Sequence, residues 1–332
     1  MRFALMIEAQ MGLSYDDQLA IARRAEAAGF EAMFRSDHYA AFPGDPGRGS
    51  TDTWAVLAGL VRETSKIRLG ALVSPVTFRH PGNFVKLVTT VDHMSGGRIE
   101  VGVGAGWNQE DHDPLGIPYP EMGARADWME DQLELLLGLW TEPDGWDYDG
   151  HHVKVRGGAL HPRPVDAPDR PHGRPGGSGE GPARPRIITG GQGTPRGFRL
   201  AAAYADEFNL SSSSPATAKA KMAELDAACR AAGRDPSTLT RSSMCGVLLG
   251  ADEAGVRRNA DAIRVEFADS SGDTDAWIKG RRGRWIVGTP DEARATIRGY
   301  AEAGIERIML QDFLPRDLDY IDLLARELIG RV

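Results

Sequence analysis

The sequence predicts an α/β protein that folds as a closed (β/α)8 TIM barrel with irregular insertions. Eight short apolar runs alternate with helical patterns almost from end to end, as in repeated β-α units with a parallel sheet. Each helical pattern has one apolar face to bury, and the first β-α unit is echoed near the end of the chain. Eight alternations over about 300 residues favour a closed barrel over the alternative, an open doubly wound sheet. The strand candidates are residues 3–7, 32–35, 67–73, 99–103, 187–189, 207–210, 244–249 and 307–310.

Start and stop signals bound the helices between these runs. Ser14 and Asp17 have the spacing of a capping box, and Gly29 supplies the stop of the same helix. Residues 26–34 and 302–310 share the pattern of a helix end, a glycine and a strand, which supports a repeated unit. Apolar spacing of i, i+3, i+4 and i+7 predicts buried helix faces at Leu133, Leu136, Leu137 and Trp140, at Ile297, Tyr300 and Ala301, and at Ile321, Leu324, Ala325 and Leu328.

Two stretches interrupt this rhythm within a single predicted domain, residues 1–332. Residues 161–186 are crowded with Pro and Gly, which predicts an irregular and partly mobile surface insertion. Residues 269–284 are polar and then basic, and we interpret them as an irregular lid because they end in the cluster Lys279, Arg281, Arg282 and Arg284.

Composition excludes several classes of protein. The 332 residues include 39 Lys and Arg against 47 Asp and Glu, a formal net charge of −8, whereas a dedicated nucleic-acid binder needs a basic face. Cys229 and Cys245 are the only cysteines, which indicates neither a disulfide framework nor a cysteine metal site. The apolar runs are too short for a signal peptide or a membrane span. We expect a cytoplasmic protein with no nucleic-acid partner, no membrane partner and no metal.

Polar residues at strand ends are the candidates for chemistry, because the loops after the strands form the active-site face of a β/α barrel. His38 follows the second strand beside Asp37, and an adjacent carboxylate can fix the tautomer of a histidine that transfers protons. The alternative is an ordinary hydrogen-bonded histidine. Glu8 follows the first strand, where it either orients His38 or is a plain surface residue. Trp107 follows the fourth strand on the same rim.

The fifth strand candidate leads through a glycine-rich loop, residues 189–194, into a helix that begins at Pro195. Backbone N–H groups at such a helix start form a phosphate site, whereas the alternative is a tight glycine turn. Gly197 comes one residue too late for a dinucleotide fingerprint, and the loop has no Walker lysine. The pattern therefore predicts a phosphate-binding loop of another kind.

Several short motifs gain specificity when they are taken together. They are residues 34–38 (FRSDH), 64–70 (TSKIRLG), 78–81 (FRHP), 92–98 (DHMSGGR), 102–108 (GVGAGWN), 189–191 (TGG), 203–206 (AYAD) and 288–293 (GTPDEA). This set resembles the bacterial luciferase-like flavin and deazaflavin oxidoreductases over nearly the whole chain, except for the two irregular stretches. The resemblance implies a (β/α)8 barrel that is usually dimeric, with reduced flavin or coenzyme F420 lying across the C-terminal rim.

The resemblance also implies roles for individual residues. Asp37 would contact the deazaflavin ring, and His38 would donate the proton or orient the reacting groups. A non-proline cis peptide bond would lie at Leu72–Val73, beneath the ring. The ring and ribityl chain would contact Val73, Ser74, Gly104 and Asn108, and the phosphate would be held by Gly190, Gly191, Gly193 and Thr194.

Residues 36–38 (SDH) are more similar to the F420-using branch than to the flavin-using one. The implied function is hydride transfer between F420 and a small organic substrate, with a separate reductase as a possible source of reduced coenzyme. The alternatives are a two-component monooxygenase that uses reduced FMN and a non-catalytic coenzyme-binding protein.

Two departures from this branch bear on the substrate. Trp107 stands where the branch's sugar-phosphate dehydrogenases carry a carboxylate, and serines 211–214 replace a lysine expected after the sixth strand. Residues 284–287 (RWIV) do match the branch's anion-binding segment, so Arg284 is expected to contact the substrate. Trp107 is expected to take part in the site by stacking on a flat apolar substrate or by forming a wall for the coenzyme.

Overall fold

Eight parallel strands close into a barrel in the computed structural model, which describes all 332 residues. Each of these strands pairs with the next along the chain, and the last pairs with the first to complete the ring. The predicted barrel and all eight predicted strands are confirmed, and the open sheet is not. The barrel strands are β1 (Arg2–Ile7), β2 (Ala32–Arg35), β3 (Arg68–Pro75), β4 (Ile99–Gly104), β7 (Arg186–Gly191), β8 (Glu207–Leu210), β9 (Thr240–Leu249) and β11 (Arg307–Asp312).

Three further strands lie outside the ring. Strands β5 (Trp146–Asp149) and β6 (Lys154–Gly158) form an antiparallel hairpin that the sequence did not reveal. The hairpin turn is fixed by the buried Asp131, whose carboxylate accepts hydrogen bonds from the backbone N–H groups of His151, His152 and Val153. Strand β10 (Ile286–Gly288) extends the sheet beside the last residues of β9.

Ten helices surround the barrel, and most of them begin at a side-chain cap. The predicted capping box of Ser14 and Asp17 opens the first helix, and Gly29 ends it with φ at 91°. The predicted apolar faces are buried except for Ala301, which is exposed. No helix is both long and apolar enough to span a bilayer. The helices are α1 (Tyr15–Ala28), α2 (Thr53–Glu63), α3 (Pro81–Ser95), α4 (Met122–Thr141), α5 (Pro195–Tyr204), α6 (Pro215–Ala231), α7 (Glu253–Glu266), α8 (Thr274–Arg281), α9 (Pro290–Glu302) and α10 (Leu318–Leu328).

The Pro- and Gly-rich insertion, residues 161–186, lies at the end of the barrel where the strands begin. Arg170 forms a fully buried ion pair with Asp92 of α3, at 2.9 Å. Arg184 pairs with Asp206, directly before β8, at 2.6 Å. The insertion has no helix and is irregular as predicted, up to the start of β7. These ion pairs hold it away from the C-terminal rim.

The second insertion differs from the prediction, because residues 269–284 contain helix α8 rather than an irregular loop. Asp273 caps this helix at the backbone N–H of Ala276, and Trp277 buries its indole ring. Trp277 packs edge-on against Trp285, with ring centroids 5.8 Å apart. The aromatic anchor gives the polar segment a buried face, which its hydropathy alone did not predict.

A network of buried charges fills the strand-start end of the barrel interior. Arg307 on β11 is fully buried and donates to Glu100 on β4 at 2.7 Å and to Glu207 on β8 at 3.1 Å. It also pairs with Glu31, and Arg68 reaches Glu100 at 2.7 Å. Burial would raise the pKa of Glu100, but the two arginines outweigh it and hold that pKa well below its usual range. The network joins strands on opposite sides of the ring.

Asp312, the last residue of β11, is a buried carboxyl with only one hydrogen-bond partner. One oxygen accepts the backbone N–H of Leu314 at 2.8 Å, and the other has no partner. Burial raises the pKa of this carboxyl to about 7. A carboxyl whose pKa is raised in the folded state favours folding while it is protonated, so its contribution falls as the pH rises from about 4 to about 7.

We expect Asp312→Asn to remove this pH dependence and to stabilise the fold above neutral pH. The amide is neutral at every pH, and its oxygen can still accept the N–H of Leu314. The gain in the free energy of unfolding should be on the order of a few kcal/mol above about pH 7 and should shrink in acid. Thermal unfolding across pH measures it, with the exposed Asp319→Asn as control. Parallel profiles for Asp312→Asn and the wild type would contradict the prediction.

Candidate active site

A cleft of about 660 Å³ opens at the C-terminal rim of the barrel. It combines the ends of several barrel strands with the loops that follow them, so residues far apart in sequence meet there. Of the predicted site residues, the cleft lining includes Glu8, His38, Val73, Gly104, Trp107, Gly190, Gly191 and Thr194. A rim cleft of this kind is the place where β/α barrels carry their active sites.

His38 is held by a carboxylate from the neighbouring loop. Its Nδ1 lies 2.7 Å from Oδ2 of Asp111, and both side chains are largely buried. The other oxygen of Asp111 accepts the backbone N–H groups of Tyr39 and Ala40, at 2.9 and 2.7 Å. Since an ionised carboxylate only accepts hydrogen bonds, Nδ1 of His38 carries the proton and Nε2 remains to exchange one.

The pKa of Asp111 reflects two opposing effects. Burial acts to raise it, but the hydrogen bonds from His38 and from the backbone N–H groups of Tyr39 and Ala40 outweigh burial and lower it. Asp111 therefore stays ionised and holds the imidazole of His38 in a single orientation.

Two aromatic rings enclose the imidazole of His38. The rings of Phe42 and Trp107 lie edge-on to it, with centroids 4.6 and 5.6 Å away. The Trp107 side chain is nevertheless 66% exposed, so a face of the indole is open to the cleft. The hydroxyl of Tyr119 donates to the backbone carbonyl of Trp107 at 2.9 Å and fixes this part of the loop. The arrangement offers a flat apolar surface next to a proton-exchanging nitrogen.

Glu8 lies at the end of β1 and presents its carboxylate between two amide side chains. Nε2 of Gln10 donates to one oxygen at 2.8 Å, and Nε2 of Gln311 donates to the other at 2.5 Å. Glu8 makes no hydrogen bond to His38 and is buried, so the structure supports neither predicted alternative, orientation of His38 or a plain surface position. The role of orienting His38 belongs to Asp111.

The predicted cis peptide bond is present at Leu72–Val73, and the Val73 side chain packs against Gly102 and Gly104 of β4. The β3–β4 register shifts between Ala71 and Ser74, so the segment bulges out of the ladder. A Cβ on Gly104 of β4 would come within 2.4 Å of Val73 Cγ2. The glycine therefore makes room for the bulge, which forms part of the cleft wall.

The glycine-rich loop after β7 also meets the cleft. Gly191 has φ at 137°, and Thr194 caps α5 by accepting the backbone N–H of Gly197 at 3.1 Å. The loop thus brings bare backbone and a helix N-terminus to one edge of the cleft, where an anionic group can be received. These residues, with the bare wall at Gly104, fit a ring-bearing coenzyme that carries a phosphate group.

The family profile described as luciferase-like monooxygenase matches residues 1–307. The chain belongs to this family. This luciferase-like enzyme has its cleft at the C-terminal rim of the barrel, as the sequence predicted.

Curated relatives of this luciferase-like protein include both coenzyme classes. An uncharacterized protein of Mycobacterium tuberculosis is 30% identical over 202 residues, 56% of this chain and 64% of that protein, so less than two thirds of its length is matched. An F420-dependent glucose-6-phosphate dehydrogenase of Beutenbergia cavernae is 26% identical, and the alignment covers 95% of this chain and 93% of that protein. The FMNH(2)-dependent dimethylsulfone monooxygenase of Pseudomonas putida is 24% identical, with 82% and 73% covered.

Solved structures share the fold at low identity. An F420-dependent secondary alcohol dehydrogenase in complex with an F420-acetone adduct superposes with a TM-score of 0.79 at 20% identity and covers 98% of each chain. The coenzyme F420-dependent tetrahydromethanopterin reductase from Methanopyrus kandleri gives 0.77 at 20% identity and covers 99% and 98%. At this identity the match shows only that the barrel fold is shared.

Five predicted site residues of this luciferase-like enzyme lie outside the cleft lining. Asp37 is buried and forms an ion pair with Arg79 at 2.6 Å, so its carboxylate does not reach the cleft. Ser74 is also buried, and its hydroxyl accepts the indole N–H of Trp54 at 2.8 Å. Asp37 lies two residues beyond the end of β2, and Ser74 lies on β3 directly after the register shift.

The other three positions fail for different reasons. Asn108 is not among the lining residues: its backbone carbonyl is hydrogen-bonded to Nδ1 of His112, and its amide nitrogen is buried without a partner. Gly193 abuts the ring of Phe198, where a Cβ would come within 2.6 Å. Arg284 is exposed, because its neighbour Trp285 turns inward to stack on Phe313 with centroids 5.0 Å apart.

Sequence reasoning missed the most important polar partner, Asp111. It follows Trp107 by four positions in the loop after β4, so its place after a strand was the available signal. Gln10 and Gln311 were missed as well. Gln311 lies one residue beyond the last predicted strand, but a glutamine there has no sequence signature of a site.

Proposed function

We propose that this enzyme is a coenzyme F420-dependent oxidoreductase that moves a hydride between the deazaflavin and a small organic substrate. The observation that carries the proposal is the His38–Asp111 pair, which faces the same cleft as the Leu72–Val73 bulge and the glycine-rich loop. When bound, F420 supplies or accepts the hydride, as a cofactor carries the electron chemistry that side chains lack.

The chain's own residues account for binding and proton transfer. Gly190, Gly191 and Thr194 would hold the phosphate through backbone N–H groups, and Val73 and Gly104 would lie against the ring. His38, held at Nδ1 by Asp111, gives a proton from Nε2 to the substrate atom that receives no hydride, and it takes the proton back in the reverse direction. Trp107 and Phe42 lie edge-on to His38 and would limit the access of water to that proton transfer once substrate fills the cleft.

A sugar phosphate is a poor fit to this cleft. No lysine or arginine is among its lining residues, and Arg284, the predicted anion contact, lies outside it. A phosphorylated substrate would therefore lack a charge partner, since phosphates are normally met by Arg, Lys or several backbone donors. The glycine-rich loop does offer backbone donors to a phosphate, but in this proposal the coenzyme occupies that loop.

Fluorescence titration of the purified protein with F420 and, separately, with FMN tests the coenzyme assignment. Oxidised and anaerobically reduced forms are compared. We expect quenching at micromolar F420 and much weaker binding of FMN. Tighter binding of FMN would overturn the proposal.

The second candidate is a monooxygenase that uses reduced FMN and oxygen, favoured by the matched FMNH(2)-dependent relative. The same cleft and phosphate loop suit either coenzyme. Oxygen consumption coupled to a hydroxylated or cleaved product, with a flavin reductase added, would identify this activity. Turnover of F420 without oxygen would exclude it.

A further inference from the structure

The cleft lining contains a negatively charged side chain, Glu8, that the proposed hydride transfer does not use. Glu8 and Asp111 are the only carboxylates of the lining, and no lysine or arginine accompanies them. Asp111 is matched by His38, so this pair is neutral when His38 is protonated. Burial lowers the pKa of His112, the other lining histidine, so it adds no positive charge. The carboxylate of Glu8 remains without a cation.

The amides around Glu8 orient its carboxylate but do not neutralise it. Gln10 and Gln311 each donate one hydrogen bond to it, and both are uncharged. A carboxylate has about four acceptor positions, so further lone pairs remain for a ligand. Glu8 is only 7% exposed, and a negative charge with little access to water interacts strongly with a cation brought beside it.

Aromatic rings line the same cleft as this carboxylate. Gln10, which donates to Glu8, also donates to the carbonyl of Phe42 at 3.1 Å, and the Phe42 ring lies 5.4 Å from that of Trp107. Gln311, the other donor to Glu8, is followed two residues later by Phe313, whose ring lies 4.8 Å from that of Phe267. All four rings belong to the cleft lining. A buried carboxylate in a cleft that also presents the exposed indole of Trp107 is an environment in which organic cations are bound, by charge and by cation–π attraction.

We propose that the substrate of this site is a flat organic cation, specifically an iminium or a related cationic nitrogen compound, whose nitrogen is received by Glu8. This inference rests on the proposed function for its chemistry but not for its binding. Hydride transfer to an iminium carbon forms the new C–H bond, and the C=N π pair moves to nitrogen. The nitrogen takes the accompanying proton through His38, while the coenzyme is oxidised by two electrons. The reverse reaction oxidises an amine.

Three bicyclic probes of similar size separate charge from shape: N-methylquinolinium, the uncharged N-methylquinolone and the anionic naphthoate. Calorimetric titration is run on the coenzyme-free protein and on protein with oxidised F420. We expect the cation to bind about tenfold more tightly than the neutral probe, with naphthoate the weakest, and the preference to shrink at high salt. Equal affinities, or tighter binding of naphthoate, would overturn the proposal, and so would no binding of any probe.

Glu8→Gln keeps the size of the side chain and removes the charge. It should lower the affinity for N-methylquinolinium by about tenfold and leave the affinity for N-methylquinolone nearly unchanged. Unchanged binding of the neutral probe also shows that the cleft is intact. Glu110→Gln, at an exposed glutamate of the same rim, is the matched control and should change neither affinity. Unchanged cation binding in a folded Glu8→Gln protein would refute the role of Glu8. If this variant does not fold, the probe ranking and salt dependence of the wild type decide.

Turnover separates this inference from the proposed function. N-methyl-dihydroisoquinolinium should be reduced by reduced F420 faster than the neutral ketone tetralone. If F420 fails to bind, the coenzyme assignment is wrong. The cation preference is then still decided by the titration of the coenzyme-free protein. If F420 is consumed with tetralone but not with the iminium, the proposed function survives and the cationic substrate class is wrong.

Discussion

His38→Ala should lower turnover by about 10²–10⁴-fold and leave coenzyme affinity nearly unchanged. The variant removes the nitrogen that exchanges the proton, and no other lining side chain is placed to replace it. His112 is the nearest alternative imidazole, but its Nδ1 and Nε2 are already engaged by the carbonyl of Asn108 and the hydroxyl of Thr77. Steady-state rates with the accepted coenzyme and a titration of that coenzyme give the two required values.

His151→Ala provides the matched control. This histidine is exposed in the hairpin turn, and its side chain makes no hydrogen bond. Its replacement should leave both rate and affinity at the wild-type values. A His38→Ala enzyme that retains full turnover would remove His38 from the mechanism, whereas equal losses of rate and coenzyme affinity would indicate a binding role instead.

Arg307→Met should cost at least about 3–5 kcal/mol of the free energy of unfolding. Methionine retains an unbranched aliphatic stem, but the substitution removes the cation that holds Glu31, Glu100 and Glu207 together. Glu100 and Glu207 then lie buried beside the partly exposed Glu31, and Arg68 at the edge contacts only Glu100. Denaturant unfolding monitored by circular dichroism measures the loss.

A second substitution separates uncompensated charge from lost packing. Adding Glu207→Gln to Arg307→Met removes one of the stranded charges, so the double variant should regain part of the lost stability. Arg23→Met, which breaks an exposed ion pair with Glu63, should cost less than about 1 kcal/mol. A loss for Arg307→Met as small as that of Arg23→Met would show that the buried network contributes little.

The chemistry available at the rim depends on very few side chains. In the proposed mechanism His38, oriented by Asp111, exchanges the proton and Glu8 provides a charge, and the remaining lining is largely glycine, aromatic and aliphatic. The matched relatives act with different coenzymes on different substrates, as expected when one barrel carries many functions through its loops. Substrate choice in this chain is therefore expected to follow Glu8 and Trp107, not the scaffold.

The sequence by itself determined the barrel, its eight strands and the rim that carries the site. These features depend on local periodicity, caps and glycine stops, such as Ser14, Asp17 and Gly29, which act between neighbours in the chain. The cis bond at Leu72–Val73 was also found, through resemblance of whole motifs. Helix α8 was missed because its buried face depends on Trp277 meeting aromatic residues from distant segments.

The tertiary structure alone decided which polar residues face the cleft. Asp37 and His38 are adjacent in sequence, yet one is buried against Arg79 and the other lines the site. The partner of His38 is 73 positions away at Asp111, and Glu8 is completed by Gln311 from the other end of the chain. A sequence pattern records residue types and spacing along the chain. Side-chain direction and the pairing of distant loops are fixed only when the strands close the ring.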